Sequence, residues 1–437
     1  MNQIKIFASF IVLMGTLVFA RAQDWPQYLG PDRDSSSEQK GILRAWPEAG
    51  PEVLWSVEVG PGFGGPVIKE GRVYLLDRDD EVGDILRCFE LSSGKEIWNF
   101  SYEAPGTVMF PGSRSIPTVE GDYIYSCGHN GDLYCLDINS HTPVWNKNIW
   151  KDFGGEDIPR WAITQNPLIY GDLLILAAQT PEVGVVAYDK HSGDVKWTTP
   201  SLGQLGYVSP SLLKVNGENH LVMVTAAAGR RGEPGTGGKV VGIEPLSGKI
   251  LWEYSNWQCR IPVASAYDAG EGRALITGGY EAGSSMIQIA QHADGSYEVK
   301  ELYKIIDFGT HTKPPVLYKG YFYAQYTTNE RRDGLVCMSL DGQIMWKTGR
   351  EPSFSKGSMI QADGLILATD GEKKLYLIEP DPNAFKPLAS VELLVAESSE
   401  DGMAARFGTQ NWAPMALAEG KLLVRDQGRL RCVKVTE

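Results

Sequence analysis

Tryptophan recurs along this chain at a nearly constant spacing, each time at the end of a short apolar segment. The six copies EVLW, KEIW, TPVW, DVKW, KILW and QIMW end at Trp55, Trp98, Trp145, Trp197, Trp252 and Trp346. Degenerate copies lie near Tyr303 and Val391. The spacing of roughly 43 to 55 residues is typical of a four-stranded propeller blade rather than of a helical repeat. The repeat therefore predicts a ring of small β-sheets, with any functional site where the blades converge.

The segments between the tryptophans have the alternation of β-strands. Each repeat opens with a proline (Ser358 in one copy), followed by a Gly- or Asp-containing turn and a strand rich in β-branched and aromatic residues. Counting from Pro66 to Pro414 gives eight repeats, of which the last, Trp412 to Glu437, has only three strands. Pro51 to Val59 is an outer strand without a blade of its own. We expect an all-β, eight-bladed β-propeller over residues 23–437, closed by its N- and C-terminal strands.

The first 22 residues have the pattern of a secretory signal peptide. An apolar run from Phe7 to Phe19 precedes Ala20-Arg21-Ala22, a small-residue cleavage signal. The run is too short for a transmembrane helix, and no second long apolar run follows. We expect an exported protein, periplasmic or secreted, that does not insert into the membrane.

The net charge of −13 argues against binding to a nucleic-acid backbone, which needs a basic surface. The six cysteines lack the spacing of a zinc or haem site and are interpreted as small buried apolar residues. A Cys127–Cys135 disulfide stays open, because exported proteins can form disulfides. We expect a monomer, and the sequence singles out no metal-ligating residues.

The outer strands carry a family resemblance. Four segments of this chain resemble the repeat of the pyrroloquinoline-quinone-type propellers: CFELSSGKEIW, CLDINSHTPVW, AYDKHSGDVKW and GIEPLSGKILW. The opening DWPQYLGP is similar to that of exported members of the family. The resemblance covers nearly all of the chain after residue 22 and implies the propeller fold. Relatives include quinone-binding alcohol dehydrogenases, outer-membrane assembly scaffolds without a quinone, and carbohydrate-active proteins, so the fold does not decide between these functions.

The propeller topology divides the histidines between two faces. His141, His191, His220 and His292 fall in turns of one face and are predicted to be solvated. His129 and His311 fall on the opposite face, where the loops entering the innermost strands form a funnel.

The segments entering the innermost strands are basic for such an acidic protein. They are expected to direct cations and aromatic or amide side chains toward a central pocket: Arg114, Arg160, Arg260, His311, Lys313, Lys356, Trp161, Tyr207, Asn411 and Trp412. Their quoted sequences contain no Asp or Glu, although the cations could instead pair with Glu156, Asp157 or Asp307 in the loops. Converging cations and aromatic walls suit an anionic sugar, because arginine grips a carboxylate bidentately.

Three functions compete. The favoured hypothesis is β-elimination on a uronate-containing oligosaccharide, by a lyase or dehydratase, with His311 and Tyr207 as base and acid and Arg260 neutralising the carboxylate. The expected substrate-binding residues are Arg114, Arg160, Trp161, Lys313, Lys356, Asn411, Trp412 and His129, and no cofactor is expected. The runner-up is a quinone-dependent alcohol or sugar dehydrogenase with pyrroloquinoline quinone and calcium, for which the resemblance implies funnel carboxylates. The third is a non-catalytic scaffold that binds protein or glycan.

Overall fold

The computed structural model describes residues 23–230, 235–327, 332–395 and 409–437, so the predicted signal peptide lies outside the described residues. Eight four-stranded antiparallel sheets follow one another around a ring. From the innermost strand outward, the first four blades are Val67–Lys69, Arg72–Asp79, Gly83–Glu90 and Glu96–Glu103; Thr118–Glu120, Tyr123–Cys127, Asp132–Asp137 and Thr142–Asn148; Leu168–Tyr170, Leu173–Ala177, Val183–Asp189 and Val195–Pro200; and Ser211–Val215, Glu218–Val224, Val240–Ile243 and Ile250–Tyr254.

The second half of the ring repeats this arrangement. Blades five to eight are Tyr267–Asp268, Arg273–Gly278, Gly283–Gln291 and Tyr297–Ile305; Val316–Tyr318, Tyr321–Thr327, Arg332–Ser339 and Ile344–Lys347; Met359–Ala362, Leu365–Thr369, Lys374–Glu379 and Lys386–Glu392; and Ala416–Ala418, Lys421–Arg425, Arg429–Lys434 and Val53–Glu58. A short strand, Ser36–Ser37, adds in parallel to Met359–Ala362. Within the described residues the helical structure is one 3₁₀ turn, Lys151–Phe153. The prediction of an all-β, eight-bladed propeller is confirmed.

The ring closes through its two ends, as the sequence predicts. Val53–Glu58 pairs antiparallel with Arg429–Lys434, so the N-terminal strand becomes the outer strand of the last blade. Trp55 lies opposite Cys432, and Glu58 lies opposite Arg429. Because the last blade obtains its fourth strand from the start of the chain, its third strand is not left as an open edge.

The repeated tryptophan packs each blade against the next. The indole Nε1 of Trp55 donates to the main-chain oxygen of Leu91 at 2.9 Å, and that of Trp145 to the oxygen of Lys190 at 3.1 Å. The glycine of the intervening SSGK-type turn provides the docking surface. Gly94 has φ +71°, and a Cβ there would lie 2.6 Å from the Trp55 ring. The tryptophan and the glycine of the motif therefore form one contact between neighbouring blades.

His220 is a correction to the sequence analysis. It lies in the strand Glu218–Val224 and is buried rather than solvated in a turn. Its Nδ1 accepts a hydrogen bond of 3.0 Å from Nε1 of Trp252, whose indole thus bonds within its own blade. Burial lowers the pKa of His220.

All six cysteines are buried and free, so the disulfide left open between Cys127 and Cys135 does not form in this structure. Within the described residues no helix has the length and apolarity needed to cross a membrane.

The segment before the first blade crosses the innermost strands. Trp25 pairs with Ile68, and the amide of Val119 donates to the oxygen of Pro26 at 2.9 Å. Further along, the amide of Gln361 donates to the oxygen of Ser35 at 2.9 Å. These contacts join the first, second and seventh blades and bring Tyr28, from the same segment, into the central cavity described next.

Candidate functional site

The innermost strands surround a cavity of about 180 Å³. Its lining residues come from the strand entrances, one loop of the fifth blade and the N-terminal segment, and are Tyr28, Phe63, Phe110, Arg114, Ile116, Trp161, Thr164, Asn166, Tyr207, Ser209, Ile261, Val263, Ser265, Tyr280, His311, Thr312, Lys313, Lys356, Trp412 and Pro414. The described lining contains cations and aromatic rings but no aspartate or glutamate.

One wall is an aromatic cluster with cations against it. The Phe63 ring lies 5.5 Å from Trp412 and 6.0 Å from Phe110, measured between centroids. The Lys356 ammonium nitrogen lies 4.0 Å from the Trp412 centroid, and the Arg114 guanidinium carbon 5.5 Å from that of Phe63. These are cation–π distances, so the rings partly stabilise charges that no carboxylate in the lining neutralises.

The other wall consists of two edge-to-face pairs. Trp161 and Tyr207 have ring centroids 5.2 Å apart, and Tyr280 and His311 have centroids 4.6 Å apart. A Cβ at Gly279 would lie 2.6 Å from Cδ2 of His311, so only glycine allows the imidazole to approach this loop. Burial raises the pKa of both Tyr207 and Tyr280, which keeps their phenols protonated.

Lys313 is fixed by oxygen atoms. Its Nζ donates to Thr312 Oγ1 at 3.0 Å, to the main-chain oxygen of Lys356 at 3.0 Å and to that of Trp412 at 2.7 Å. Burial, and secondly the charge of Lys356, lower its pKa to about 7. Three acceptors match the three donors of an ammonium group, so this geometry favours the charged form against the effect of burial.

Arg114 is held by its own loop. Its Nη1 donates to the main-chain oxygen of Gly112 at 2.9 Å, and its Nη2 donates to that of Phe110. Burial lowers its pKa to about 10, which leaves the guanidinium charged at neutral pH. Arg114 therefore contributes a fixed positive charge to the cavity.

Three buried nitrogen atoms at the cavity have no hydrogen-bond partner among the described residues. They are Nδ1 of His311 and the indole Nε1 of Trp161 and of Trp412. Burial, followed by the charges of Lys356 and Lys313, lowers the pKa of His311 well below its ordinary value, so its imidazole is neutral. Because unpaired buried polar atoms are costly, these nitrogens indicate a site suited to a polar ligand.

The structure brings together seven of the sequence-selected site residues. They are Arg114, Trp161, Tyr207, His311, Lys313, Lys356 and Trp412. Four others, Arg160, Arg260, His129 and Asn411, do not belong to the described lining of this cavity.

Arg260 and Arg160 lie near the cavity but outside its described lining. Arg260 precedes Ile261, which lines the cavity, but its own side chain runs toward the fourth blade, 3.7 Å from where a Cβ of Gly235 would stand. Arg160 is exposed, with its guanidinium carbon 5.2 Å from the Trp161 centroid. Both guanidinium charges nevertheless act on the Tyr280 phenol in the cavity wall, where they oppose the rise in its pKa that burial causes.

His129 and Asn411 have structural contacts. His129 is buried, its Nδ1 lies 2.9 Å from Asn130 Oδ1, and its amide donates to Asp84 Oδ2 at 3.1 Å. The amide nitrogen of the Asn411 side chain donates to the oxygen of Val395 at 3.0 Å. These bonds connect loops of neighbouring blades.

Sequence reasoning missed Tyr28, Phe63, Phe110 and Tyr280. Phe63 stands in the strand entrance FGGP, and Tyr280 in a loop between second and third strands, the loop type that also shares the funnel face. Aromatic residues in loops of the funnel face could have been predicted to line the cavity. Tyr28 gave none, because no repeat pattern predicts where the N-terminal segment runs.

We expect the free energy of unfolding to fall as the pH is lowered from about 7 to about 5. Burial lowers the pKa of His129 to about 4 and lowers those of His220 and His311 in the same direction. The unfolded histidines take up protons below about pH 6.5 while the folded ones stay neutral, so the stabilisation is complete above that pH and is lost below it.

Melting temperatures measured at pH 7 and pH 5 test this expectation. His220→Gln should reduce the difference between the two values, whereas His292→Gln, at an exposed position, should leave it unchanged. An equal melting temperature at both pH values would contradict the neutral state of the buried histidines.

Comparison with known proteins is consistent with this architecture. Residues 82–260 match a family model described as outer membrane protein assembly factor BamB. No curated protein sequence matches the chain. The match to the family model covers the ring from the third strand of the first blade to the entrance of the fifth blade.

Solved structures resemble the whole ring. A europium-containing methanol dehydrogenase is 14% identical, with a TM-score of 0.63, and the alignment covers 92% of this chain and 89% of the other. A quinohemoprotein alcohol dehydrogenase from Comamonas testosteroni is 13% identical, with a TM-score of 0.63 and coverage of 95% and 81%. BamB from Moraxella catarrhalis is 11% identical, with a TM-score of 0.56 and coverage of 87% and 96%.

The chain is thus similar in fold to the pyrroloquinoline-quinone-type propellers, and residues 82–260 match a family model of such repeats, so the predicted resemblance is confirmed. The favoured functional hypothesis is wrong. The similar structures named here are dehydrogenases and an assembly factor, and nothing in them indicates a lyase or dehydratase acting on polysaccharide. The roles in β-elimination that were predicted for His311, Tyr207 and Arg260 depended on that hypothesis and do not apply.

Proposed function

We propose that the protein is a quinone-dependent oxidoreductase that binds pyrroloquinoline quinone in the central cavity and oxidises a small alcohol or sugar. The observation that carries the proposal is a cavity lined by cations and aromatic rings without a lining carboxylate. The quinone is planar and carries carboxylates, so it matches both features. Two similar folds are named as dehydrogenases, which supports this alternative over our expectation of no cofactor.

The residues that would hold the quinone are those with charge or aromatic surface at the cavity. Lys313, Lys356 and Arg114 provide positive charge for its carboxylates. Trp161 and Trp412 provide aromatic surface, and each has an unpaired indole N–H that could donate to a quinone oxygen. The unpaired donors, together with the cations, make the organic part of the cofactor compatible with this cavity.

The calcium that accompanies the quinone in the runner-up hypothesis does not fit the described residues. They contain no cluster of three or more His, Cys, Asp or Glu side chains that could hold a metal ion. A hard cation such as calcium takes six to eight oxygen ligands, usually with carboxylates among them. We therefore propose binding that depends on the lysines and Arg114 rather than on a metal.

The chain's own residues would assist oxidation in two ways. When bound, the quinone supplies the acceptor for the hydrogen removed from an alcohol carbon. His311 is neutral, and its unpaired Nδ1 can accept a proton from a hydroxyl group. Lys313 and Lys356 would stabilise negative charge close to that imidazole, since both charges affect its pKa.

Titration of the purified protein with pyrroloquinoline quinone, first in chelator and then with calcium, tests the proposal. Quenching of tryptophan fluorescence measures binding, and dye-linked oxidation of alcohols and sugars measures activity. We expect binding in chelator that weakens as salt rises. Lys356→Met should weaken it about 10-fold or more, through loss of a charged contact.

Lys319→Met is the matched control. Lys319 is exposed and also lies over an aromatic ring, at 5.2 Å from the Tyr318 centroid, but it does not belong to the central lining. Its substitution should leave quinone binding unchanged. Binding that requires calcium would contradict the metal-independent site, and no binding under either condition would overturn the proposal.

A second candidate is a non-catalytic scaffold. The family model described as BamB over residues 82–260, and the missing metal cluster among the described residues, favour it. It predicts a stably folded protein that binds no quinone with or without calcium. Export to the periplasm, a monomeric state and binding of an anionic oligosaccharide stay predictions.

A further inference from the structure

The cavity contains two lysines in different environments. Lys313 has its three N–H donors directed at three oxygen atoms, one of them the main-chain oxygen of Lys356. Lys356 Nζ has no hydrogen bond or ion pair with any described residue and lies 4.0 Å from the Trp412 centroid. One amine is therefore fixed, whereas the other faces the cavity with its donors and its lone pair available.

The surroundings of Lys356 disfavour its charged form. It is largely enclosed by protein, beside the cation of Lys313 and with no carboxylate in the described lining. Burial lowers its pKa to about 8, so about a tenth of it is the neutral amine at pH 7, far more than for an ordinary lysine. An amine that is desolvated and close to a second cation is the arrangement that makes a lysine nucleophilic toward carbonyl groups.

We propose that Lys356 is a reactive amine that forms an imine with small carbonyl compounds bearing a carboxylate, such as aldehydic acids and 2-oxo acids. The inference concerns the cavity of the proposed function but does not require the quinone. Lys313 and Arg114 would attract the carboxylate, and Lys356 would attack the carbonyl.

The step balances without a further reagent. The Lys356 Nζ lone pair forms a bond to the carbonyl carbon, and the carbonyl π electrons move to oxygen. Nitrogen gives up two protons, the carbon–oxygen bond breaks, and the oxygen leaves as water. The neutral His311 imidazole, whose Nδ1 has no partner among the described residues, can carry the protons between nitrogen and the departing oxygen.

Reductive trapping with glyoxylate tests the inference on the full chain after residue 22. Glyoxylate is added with cyanoborohydride, which converts an imine to a stable carboxymethyl amine, and peptide mass spectrometry locates the adduct. We expect Lys356 to be labelled about 10-fold or more faster than Lys319, since an ordinary lysine with a pKa near 10.4 is almost entirely protonated at neutral pH. Quinone is absent throughout, so this result and that of the quinone titration are independent.

Two comparisons make the result specific to the cavity. Lys356→Arg keeps the charge but removes the nucleophile and should abolish the fast adduct, whereas Lys319→Arg should not. With propionaldehyde in place of glyoxylate, the labelling ratio of Lys356 to Lys319 should fall, because the neutral probe has no carboxylate. Labelling of Lys356 no faster than that of Lys319 would overturn the proposal, as would a fast adduct that persists in Lys356→Arg.

Discussion

A chain lacking residues 23–59 is expected not to form a stable closed ring. The deletion removes Val53–Glu58, the outer strand of the eighth blade, and leaves Arg429–Lys434 as an exposed edge. It also removes Trp25, which packs in the core shared by the seventh, eighth and first blades, and the docking of Trp55 on Leu91. Exposed edges and lost burial favour unfolding and association. Thermal melting by circular dichroism and size-exclusion chromatography measure the effect.

A point variant separates ring closure from loss of chain length. Trp55→Ala should reduce the free energy of unfolding by about 3–5 kcal/mol, the range for buried aromatic residues. Val53→Ala, in the same strand but with 47% of its surface exposed, should have little effect. A deletion variant that melts at the temperature of the chain starting at residue 23 would show that the ring does not depend on this strand.

The fold was predictable because the repeat encodes a contact between blades. The Trp–Gly pairing of Trp55 with Gly94 recurs as Trp145 with Gly193 and as Trp197 with Gly248, so each motif reports one blade boundary. The strand around Trp55 had no blade of its own and the last repeat lacked a fourth strand, so the sequence predicted that the two would pair. The hydrogen bond between Trp252 and His220 was less predictable. There the indole N–H bonds to a side chain of its own blade instead of to the main chain of the next blade.

The site was predictable in position but less so in side-chain direction. Strand entrances converge on the axis in any propeller, but successive residues of an extended segment point to opposite sides. Arg260 and Ile261 show the consequence, since the isoleucine lines the cavity and the arginine does not. Tyr28 depended on the path of the N-terminal segment, which no repeat describes.

The residues of the cavity suit two classes of ligand. A cavity with Lys313, Lys356 and aromatic walls suits the carboxylate of a sugar acid and that of a quinone equally well, because both present a planar anion beside an apolar ring or face. The cavity carries the proposal of a planar anionic ligand, and the similar folds named as dehydrogenases favour the quinone over the sugar acid.

Arg78→Met is expected to be the most damaging point substitution in the first blade. The Arg78 side chain is completely buried, with Nη1 3.1 Å from Asp84 Oδ1 and Nε donating to Asp80 Oδ1 at 2.7 Å. Asp84 is also completely buried, and its other oxygen accepts the amide of His129 at 3.1 Å and the Tyr102 hydroxyl at 3.2 Å. Burial raises the pKa of Asp84, and Arg78 opposes that rise.

Removing this cation should cost about 3–5 kcal/mol of unfolding free energy, because it leaves a buried carboxylate without its paired charge. Denaturant unfolding measures the loss. Lys69→Met is the surface control: its pair with Asp24 is partly exposed, so the cost should stay below about 1 kcal/mol. Adding Asp84→Asn to Arg78→Met should restore part of the stability, since the substitution removes the uncompensated charge while keeping an oxygen for the His129 amide. Stability of Arg78→Met within about 1 kcal/mol of the parent would contradict a buried charge network that fixes this loop between the first two blades.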